Sequence, residues 1–390
     1  MNIDNRYIRV LGKGKTAVAL KDKFPNATLY DDGDFNKYDL NSNELTVVSP
    51  GIPPYNNMVI NSTNVISDYD LFSDIMPFSI WISGTNGKTT TTQMCQYLLE
   101  EYNSVCGGNI GIPLSHMDES KPIWILETSS FTLHYTNKAK PNIYILLPIT
   151  EDHITWHGTF EEYKLSKLKP LELMNENDIA IIPEEFKNYK TDAFVVTYKN
   201  SDDLCTHFGF EKEKIKFKEP FLLDAILAMS ARKIIFDEVK YDLINSFKID
   251  KHKVEEFRDS KNRLWIDDSK ATNVDATINA LVPYNKEEIH IILGGDDKGA
   301  NLIPLFENIK NLNITVYAIG TNTNKIIDFC EEYKIKSYKC EFLEIAVIKM
   351  NDNMSKNSLG ILSPAAASLD QFKSYAHRGD EFKNLVLSLS

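Results

Sequence analysis

The sequence predicts an α/β protein of three domains built on mostly parallel sheets. Three observations carry that prediction. Short apolar runs alternate with helical stretches along almost the whole chain. Several of those runs end in Gly-rich or acidic turns, as strands joined by crossover helices do. The length, 390 residues, corresponds to two or three domains at roughly 150 residues each.

The elements follow in order. Tyr7–Leu11 reads as a strand, followed by Gly12-Lys13-Gly14-Lys15-Thr16 and the apolar stretch Ala17–Leu20. Ala27–Tyr30 is a second strand ending in Asp31-Asp32, and Leu45–Val48 a third, ending in Ser49-Pro50-Gly51. The first unit closes near Met76-Pro77. A second opens with strand Ser79–Ser83 and continues with strands Ile123–Leu126, Ile143–Leu147 and Ile179–Ile182. Helices are expected over Thr91–Glu101, Phe160–Met174 (Leu165, Leu168 and Leu171 at helical spacing) and Phe221–Ile235. A third unit begins near Pro283, with strands Ile289–Leu293, Thr315–Ile319 and Ser358–Leu362. The expected domains are therefore 1–76, 77–282 and 283–390, and the Lys/Glu-rich stretch Phe210–Glu219 reads as a solvated loop.

Composition narrows the function classes. The chain is 43% hydrophobic and 25% charged, with 17 Gly and 15 Pro, which excludes a collagen-like or wholly disordered chain. Lys and Arg total 43 against 55 acids, a net charge of -12. That balance lacks the footprint of a general nucleic-acid binder, although a local cationic pocket for a small anion is compatible with it. No apolar run approaches the ~18 residues of a spanning helix, and the amino terminus has no secretory pattern. The five cysteines include no C-x-x-C pair. A reducing cytoplasm and no membrane partner are the expectation.

Ile80-Trp81-Ile82-Ser83-Gly84-Thr85-Asn86-Gly87-Lys88-Thr89-Thr90 is the most informative local stretch. It joins an apolar strand to a helix, where backbone N–H groups form an anion site. Gly84 and Gly87 let the backbone approach phosphate, Lys88 reaches the β/γ-phosphates and the Thr89 hydroxyl suits Mg²⁺. The pattern is the shorter G-T-N-G-K-T-T form, with Ile82 where the longer phosphate-loop pattern has Gly. Alone it indicates a nucleoside triphosphate site.

Two further clusters fall at strand ends. Ile123–Leu126 runs into Glu127-Thr128-Ser129-Ser130-Phe131, which places a carboxylate where a metal-linked acid is expected. Ile143–Leu147 leads to Thr150-Glu151-Asp152-His153, and His153 suits a metal as neutral imidazole. Lys164, Lys167 and Lys169 follow on one helix; charge reasoning sends all three to solvent, and spacing does not single one out.

These motifs together resemble the Mur ligases of peptidoglycan synthesis. Besides G-T-N-G-K-T-T, E-T-S-S-F, T-E-D-H and a Y-x-x-x-K helix, the resemblance extends to Trp265–Asn273 and Leu293-Gly294-Gly295-Asp296-Asp297-Lys298. It ends on Leu362–Phe372 with Arg378-Gly379-Asp380-Glu381-Phe382. It covers essentially the whole chain in order. Two departures stand out: a first domain shorter than the family usually has, and Thr128 where Leu is common.

The resemblance implies a Rossmann-like amino-terminal domain for the UDP-linked substrate, a central P-loop ATPase domain and a Rossmann-like carboxy-terminal domain for the amino acid. It implies an ATP-dependent amide ligase that adds D-glutamate to UDP-N-acetylmuramoyl-L-alanine through an acyl phosphate, acting as a cytoplasmic monomer with two Mg²⁺ ions. By the same resemblance, Lys88, Glu127, His153 and Lys167 are catalytic. Thr89, Glu127, His153 and a carbamylated Lys167 hold metal, and Gly84–Thr90 with Asn273 bind ATP. Lys15, Thr16, Asp31, Gly51 and Asn109 meet the UDP-substrate, and Lys298, Lys325, Ser368 and Tyr375 meet D-glutamate. Other ligases of this type, a folylpolyglutamate synthase-like enzyme and a non-ligase P-loop module are the alternatives. The Ser363–Phe372 segment favours D-glutamate.

Overall fold

The computed structural model describes residues 7–40, 42 and 44–389, which form two compact units. The first runs to Phe217 and includes Phe221–Phe247; the second holds Lys218–Pro220 and the chain from Lys248 onward.

The first unit contains two sheets. One is parallel, with strands β1 (Ile8–Leu11), β2 (Thr28–Tyr30), β3 (Leu45–Val48) and β4 (Val65–Ile66) in the order β2-β1-β3-β4. The other is a six-stranded parallel sheet of β5 (Phe78–Ser83), β6 (Ser104–Gly108), β7 (Ile123–Glu127), β8 (Ile143–Leu146), β9 (Ile179–Pro183) and β10 (Phe194–Tyr198). Its order is β10-β9-β8-β5-β7-β6. β5 lies centrally, with Ile80 opposite both Ile125 of β7 and Ile143 of β8. From β5 the chain goes to one side of the sheet for β6 and β7, then crosses to the other for β8. This reversal opens a crevice at the carboxyl ends of β5, β7 and β8, the usual ligand position in an open α/β sheet.

The two sheets share a single apolar core. Val10, Leu20, Phe24, Val47 and Phe72 belong to the same buried cluster as Trp81, Trp124, Leu126 and Tyr144. Tyr69 stands edge-on to Trp81, with ring centres 4.8 Å apart. A polar clamp reinforces the join: the buried Asp70 carboxylate accepts the backbone N–H groups of Asn137, Lys138 and Ala139 at 2.7–2.8 Å. The expected boundary after residue 76 is thus a boundary between sheets and not between cores.

The second unit holds one six-stranded sheet of β11 (Glu255–Arg258), β12 (Leu264–Asp267), β13 (Ile289–Gly294), β14 (Ile314–Ile319), β15 (Lys336–Glu341) and β16 (Leu359–Leu362). The order is β11-β12-β16-β13-β14-β15, parallel except for the β11/β12 pair. The boundary expected at 282/283 needs correction. β12 pairs with β16, Trp265 opposite Gly360, so residues from Lys248 onward belong to this unit. The partner of β12 lies near the end of the chain, and a four-residue strand gives no local sign of so distant a pairing.

The expected strands Ala27–Tyr30 and Ile179–Ile182 are each present within a residue of their limits, and the helices Lys88–Leu99, Phe160–Leu173 and Phe221–Phe236 match expectation closely. The Lys/Glu-rich stretch from Phe210 is only partly solvated, because Phe210 and Ile215 are buried.

Asp70→Ala is expected to strip three backbone donors of their acceptor and to destabilise the first unit by about 2–4 kcal/mol. Urea unfolding followed by tryptophan fluorescence checks this, with Trp81 and Trp124 reporting from the shared core.

Candidate active site

The carboxyl end of β5 becomes a turn that only glycine can make. Gly84 has φ of +136°, and a Cβ there would stand 2.5 Å from Leu147 Cβ. Gly87 has φ of +84° and caps the helix Lys88–Leu99; a Cβ there would meet Asp224 Oδ1 at 2.5 Å. The loop is held from within. Thr85 Oγ1 donates to Thr150 O at 3.0 Å, accepts from Thr150 N at 2.9 Å and lies 3.0 Å from the Tyr163 hydroxyl. The Lys88 ammonium donates to Gly84 O (3.0 Å) and Thr85 O (2.7 Å), curling back over its own loop. Thr90 is buried, while Asn86 and Thr89 are half-buried.

Glu127 ends β7 beside this loop. One carboxylate oxygen accepts from the Thr89 hydroxyl at 2.8 Å and the other from the Asn109 amide at 2.7 Å. A hydroxyl and a carboxylate converging at the first turn of a phosphate-loop helix form an oxygen donor set that suits Mg²⁺. Asn109 thus meets the acid through its side chain, and its own backbone N–H bonds to Glu127 O.

Lys167 departs from the expectation that all three lysines face solvent. It is 1% exposed, and its amine donates to Gly84 O at 2.7 Å. Burial, and then the charge of Lys88, push its pKa well below the ordinary lysine value. The amine is therefore disposed to be neutral and nucleophilic. The helix periodicity explains the burial: Tyr163, Ser166, Lys167, Leu168, Pro170 and Leu171 form its inner face, while Leu165 points outward. His153 caps the short helix Ile154–His157 in a left-handed conformation, φ 54°, with its ring 4.7 Å from that of Phe131.

In the first sheet, Lys15 and Thr16 follow β1, Asp31 follows β2 and Gly51 follows β3, so all four lie at one edge. Asp31 caps the turn after β2 and pairs with Lys13 at 2.8 Å. In the second unit, Asn273 caps the helix Val274–Leu281 through Oδ1. Lys298 is exposed with φ 50°, Ser368 is buried and Tyr375 half-buried. Lys325 is engaged as a brace: it bonds Asp297 at 2.8 Å and Ala300 O at 2.7 Å. Burial opposes ionisation of Asp297, but that lysine and the Gly299 N–H hold its carboxyl below the usual range.

Sequence reasoning gave no role to four residues that the structure brings to these sites. Lys270 lies 4.1 Å from the centre of the Tyr375 ring. Buried Arg378 donates to Ser269 Oγ and O and to Ala366 O, tying two of the motif loops together. Buried Asp224 accepts from Thr91 beside Gly87. Tyr163 backs Thr85. Lys270 and Arg378 lie within quoted motifs, so position in a motif was the available signal. Asp224 sits in an apolar helix with no such mark. Asp268 shows how closed the second site is, since burial pushes its carboxyl up to about 8 against the Ser363 hydrogen bond.

Residues 82–223 match the Mur ligase middle domain. Over 97% of this chain and 99% of theirs, it is 49% identical to the UDP-N-acetylmuramoylalanine--D-glutamate ligase of Campylobacter jejuni (strain 81-176) and 42% identical to that of Helicobacter pylori (strain ATCC 700392 / 26695). Among solved structures, it matches MurF ligase from Thermotoga maritima in complex with ADP (TM-score 0.60, 15% identity, 98% of this chain and 97% of that one). Folylpolyglutamate synthase from Mycobacterium tuberculosis also matches (TM-score 0.56, 11% identity, 80% and 92%), so these likenesses speak to the fold. The chain belongs to the Mur ligase family. Within it, its full-length relatives are UDP-N-acetylmuramoylalanine--D-glutamate ligases.

Gly84→Ala is expected to leave the chain folded but to weaken ATP binding by at least about tenfold, a loss of roughly 1.4 kcal/mol, because the loop must move off Leu147. Calorimetric titration with ATP checks this.

Proposed function

We propose that this chain joins D-glutamate to UDP-N-acetylmuramoyl-L-alanine at the expense of ATP, in the assembly of peptidoglycan precursors. Full-length identity of 49% to a ligase of that name carries the reading. The first unit's phosphate loop and Glu127 cluster support it, and the absence among described residues of a helix able to cross a membrane is compatible with it. ATP and a nucleotide sugar as substrates support the reading of a cytoplasmic reaction.

The chemistry follows from the leaving group. A carboxylate does not release oxide to an amine. Its oxygen therefore attacks the γ-phosphorus of ATP, the bond to ADP breaks, and an acyl phosphate forms. The amine of D-glutamate then adds to the acyl carbon, loses a proton, and expels phosphate to leave the amide. In the first step both reactants are anions, so positioning and charge neutralisation dominate.

Lys88 and the N–H groups of the glycine turn bind the β/γ-phosphates; the lysine leaves its loop carbonyls to do so. Thr89 and Glu127 would hold one Mg²⁺, and His153 with Lys167 a second. When bound, the ions supply positive charge at the phosphoryl oxygens. Lys167 is suited to this only after modification: its neutral amine adds to CO₂, forming a C–N bond and releasing one proton. A neutral amine is thereby replaced by an anionic oxygen ligand. Asn109 orients Glu127 from behind and presents its other face to the sugar nucleotide, with Lys15, Thr16, Asp31 and Gly51 at the first sheet's edge for the uridine diphosphate. In the second unit Asn273 contacts adenine. Lys298, Ser368 and Tyr375, joined by Lys270, offer cations and a hydroxyl to a dicarboxylate, with Lys325 bracing their loop.

Two measurements test the reading. ADP release with UDP-N-acetylmuramoyl-L-alanine and a panel of amino acids is expected to require D-glutamate; preference for an L-amino acid would sink it. Lys167→Ala is expected to lower kcat by about 100- to 1,000-fold, with partial recovery on adding a short carboxylic acid, and full activity in that variant would remove the carbamate.

A further inference from the structure

The three groups read as metal-side ligands in the first unit sit on three separate segments: Glu127 at the end of β7, His153 before a short helix, and Lys167 inside the next helix. One residue, through its backbone and its side chain, links all three segments. His157, 6% exposed, is the last residue of the short helix, and its backbone N–H bonds to His153 O at 3.1 Å. Its Nε2 lies 2.9 Å from the hydroxyl of Ser130, three residues after Glu127. Its Nδ1 lies 3.5 Å from the hydroxyl of Ser166, the neighbour of Lys167. Ser130 and Ser166 are both buried.

The hydrogen-bond inventory gives this chain a direction. The Ser166 hydroxyl spends its proton on Glu162 O at 2.8 Å, so toward His157 it can only accept. His157 Nδ1 is then the donor toward Ser166, and in the neutral ring Nε2 accepts from Ser130. The run Ser130 to His157 to Ser166 to Glu162 is complete for a neutral imidazole protonated at Nδ1, and the Ser166 hydroxyl also lies 3.3 Å from His134 Nδ1. Burial favours the same neutral form. The rings of Trp156 (4.4 Å), Tyr163 (5.3 Å) and Phe131 (5.6 Å) wall the imidazole in. A neutral ring with two opposed polar atoms spans the segments without adding a positive charge beside a cation site.

We infer that His157 is a positioning residue, which ties the segments bearing Glu127, His153 and Lys167 together and holds Lys167 in register with Gly84. The inference deepens the proposed function and rests on its reading of those three groups. Ligands drawn from separate segments need such an outer connection to keep their geometry.

The test compares wild type, His157→Ala, His157→Gln, Ser166→Ala and the His157→Ala/Ser166→Ala double variant. The readouts are kcat, KM for D-glutamate, the Mg²⁺ concentration for half-maximal rate, the carbamate signal in ¹³C NMR after incubation with labelled bicarbonate, and the melting curve. His157→Ala is expected to raise the Mg²⁺ requirement about 10- to 100-fold and to lower kcat, with KM for D-glutamate near wild type. Its carbamate signal should fall at low bicarbonate and partly return at high bicarbonate. Ser166→Ala should add little in the His157→Ala background, because the two act along one path. A folded His157→Ala with wild-type Mg²⁺ requirement and label, or losses that simply multiply in the double variant, overturns the inference. If His157→Ala does not fold, His157→Gln, which keeps one donor and one acceptor, is judged by the same criteria. If wild type itself takes up no label, the carbamate reading fails separately, and an unchanged Mg²⁺ requirement in the variant still overturns the role of His157.

Discussion

Two lysine amines, Lys88 and Lys167, bond the same backbone oxygen, that of Gly84. They come from different helices, one just after the phosphate loop and one from the far side of β8. Like charges so placed repel, and full burial of Lys167 removes the water that would screen them. Burial, and then the charge of Lys88, hold the pKa of Lys167 well below that of an ordinary lysine. The placing of both amines over the loop centres on that shared carbonyl. It is reachable because Gly84 brings the turn against Leu147 without a Cβ.

The same logic sets the bulk charge of -12 in context. ATP, the sugar nucleotide and D-glutamate are all anions, so attraction to the protein must be local. In the first unit Lys88 and the N–H groups of a helix start are the positive groups beside the glycine turn. In the second, Lys298 and Lys270 are exposed near a rigid frame, with Arg378 spending its donors on Ser269 and Ala366 carbonyls. The acid excess elsewhere does not oppose this, because exposed charges beyond ~10 Å are largely screened at physiological salt.

Much of this was legible in the sequence, for a physical reason. Phosphate-loop patterns and strand-end carboxylates are local: their glycines, lysine and hydroxyl are neighbours in the chain, so the turn at Gly84–Thr90 and the strand end at Glu127 were legible from spacing. Strands with continuous apolar runs, such as Ile143–Leu147, were legible for the same reason. What escaped depends on distant partners. β12 is a strand because β16 lies beside it, and β10 starts with an exposed Phe194. Lys167 looked like its neighbours Lys164 and Lys169 until the helix packed with that face inward. His157 had no motif, and its meaning comes from two serines on other segments.

The common core of the first two sheets bears on how such a chain can vary. Four short strands, one of only two residues, make a poor independent fold by size alone. Their apolar residues are completed by Trp81, Trp124 and Tyr144, and Asp70 fastens the junction. A layer supported in this way can lose residues at its outer loops while its inner face remains covered. A lean amino-terminal domain is then an economy that the neighbouring sheet makes possible, and the constraint on further shortening lies at residues 69–72, where the two sheets meet.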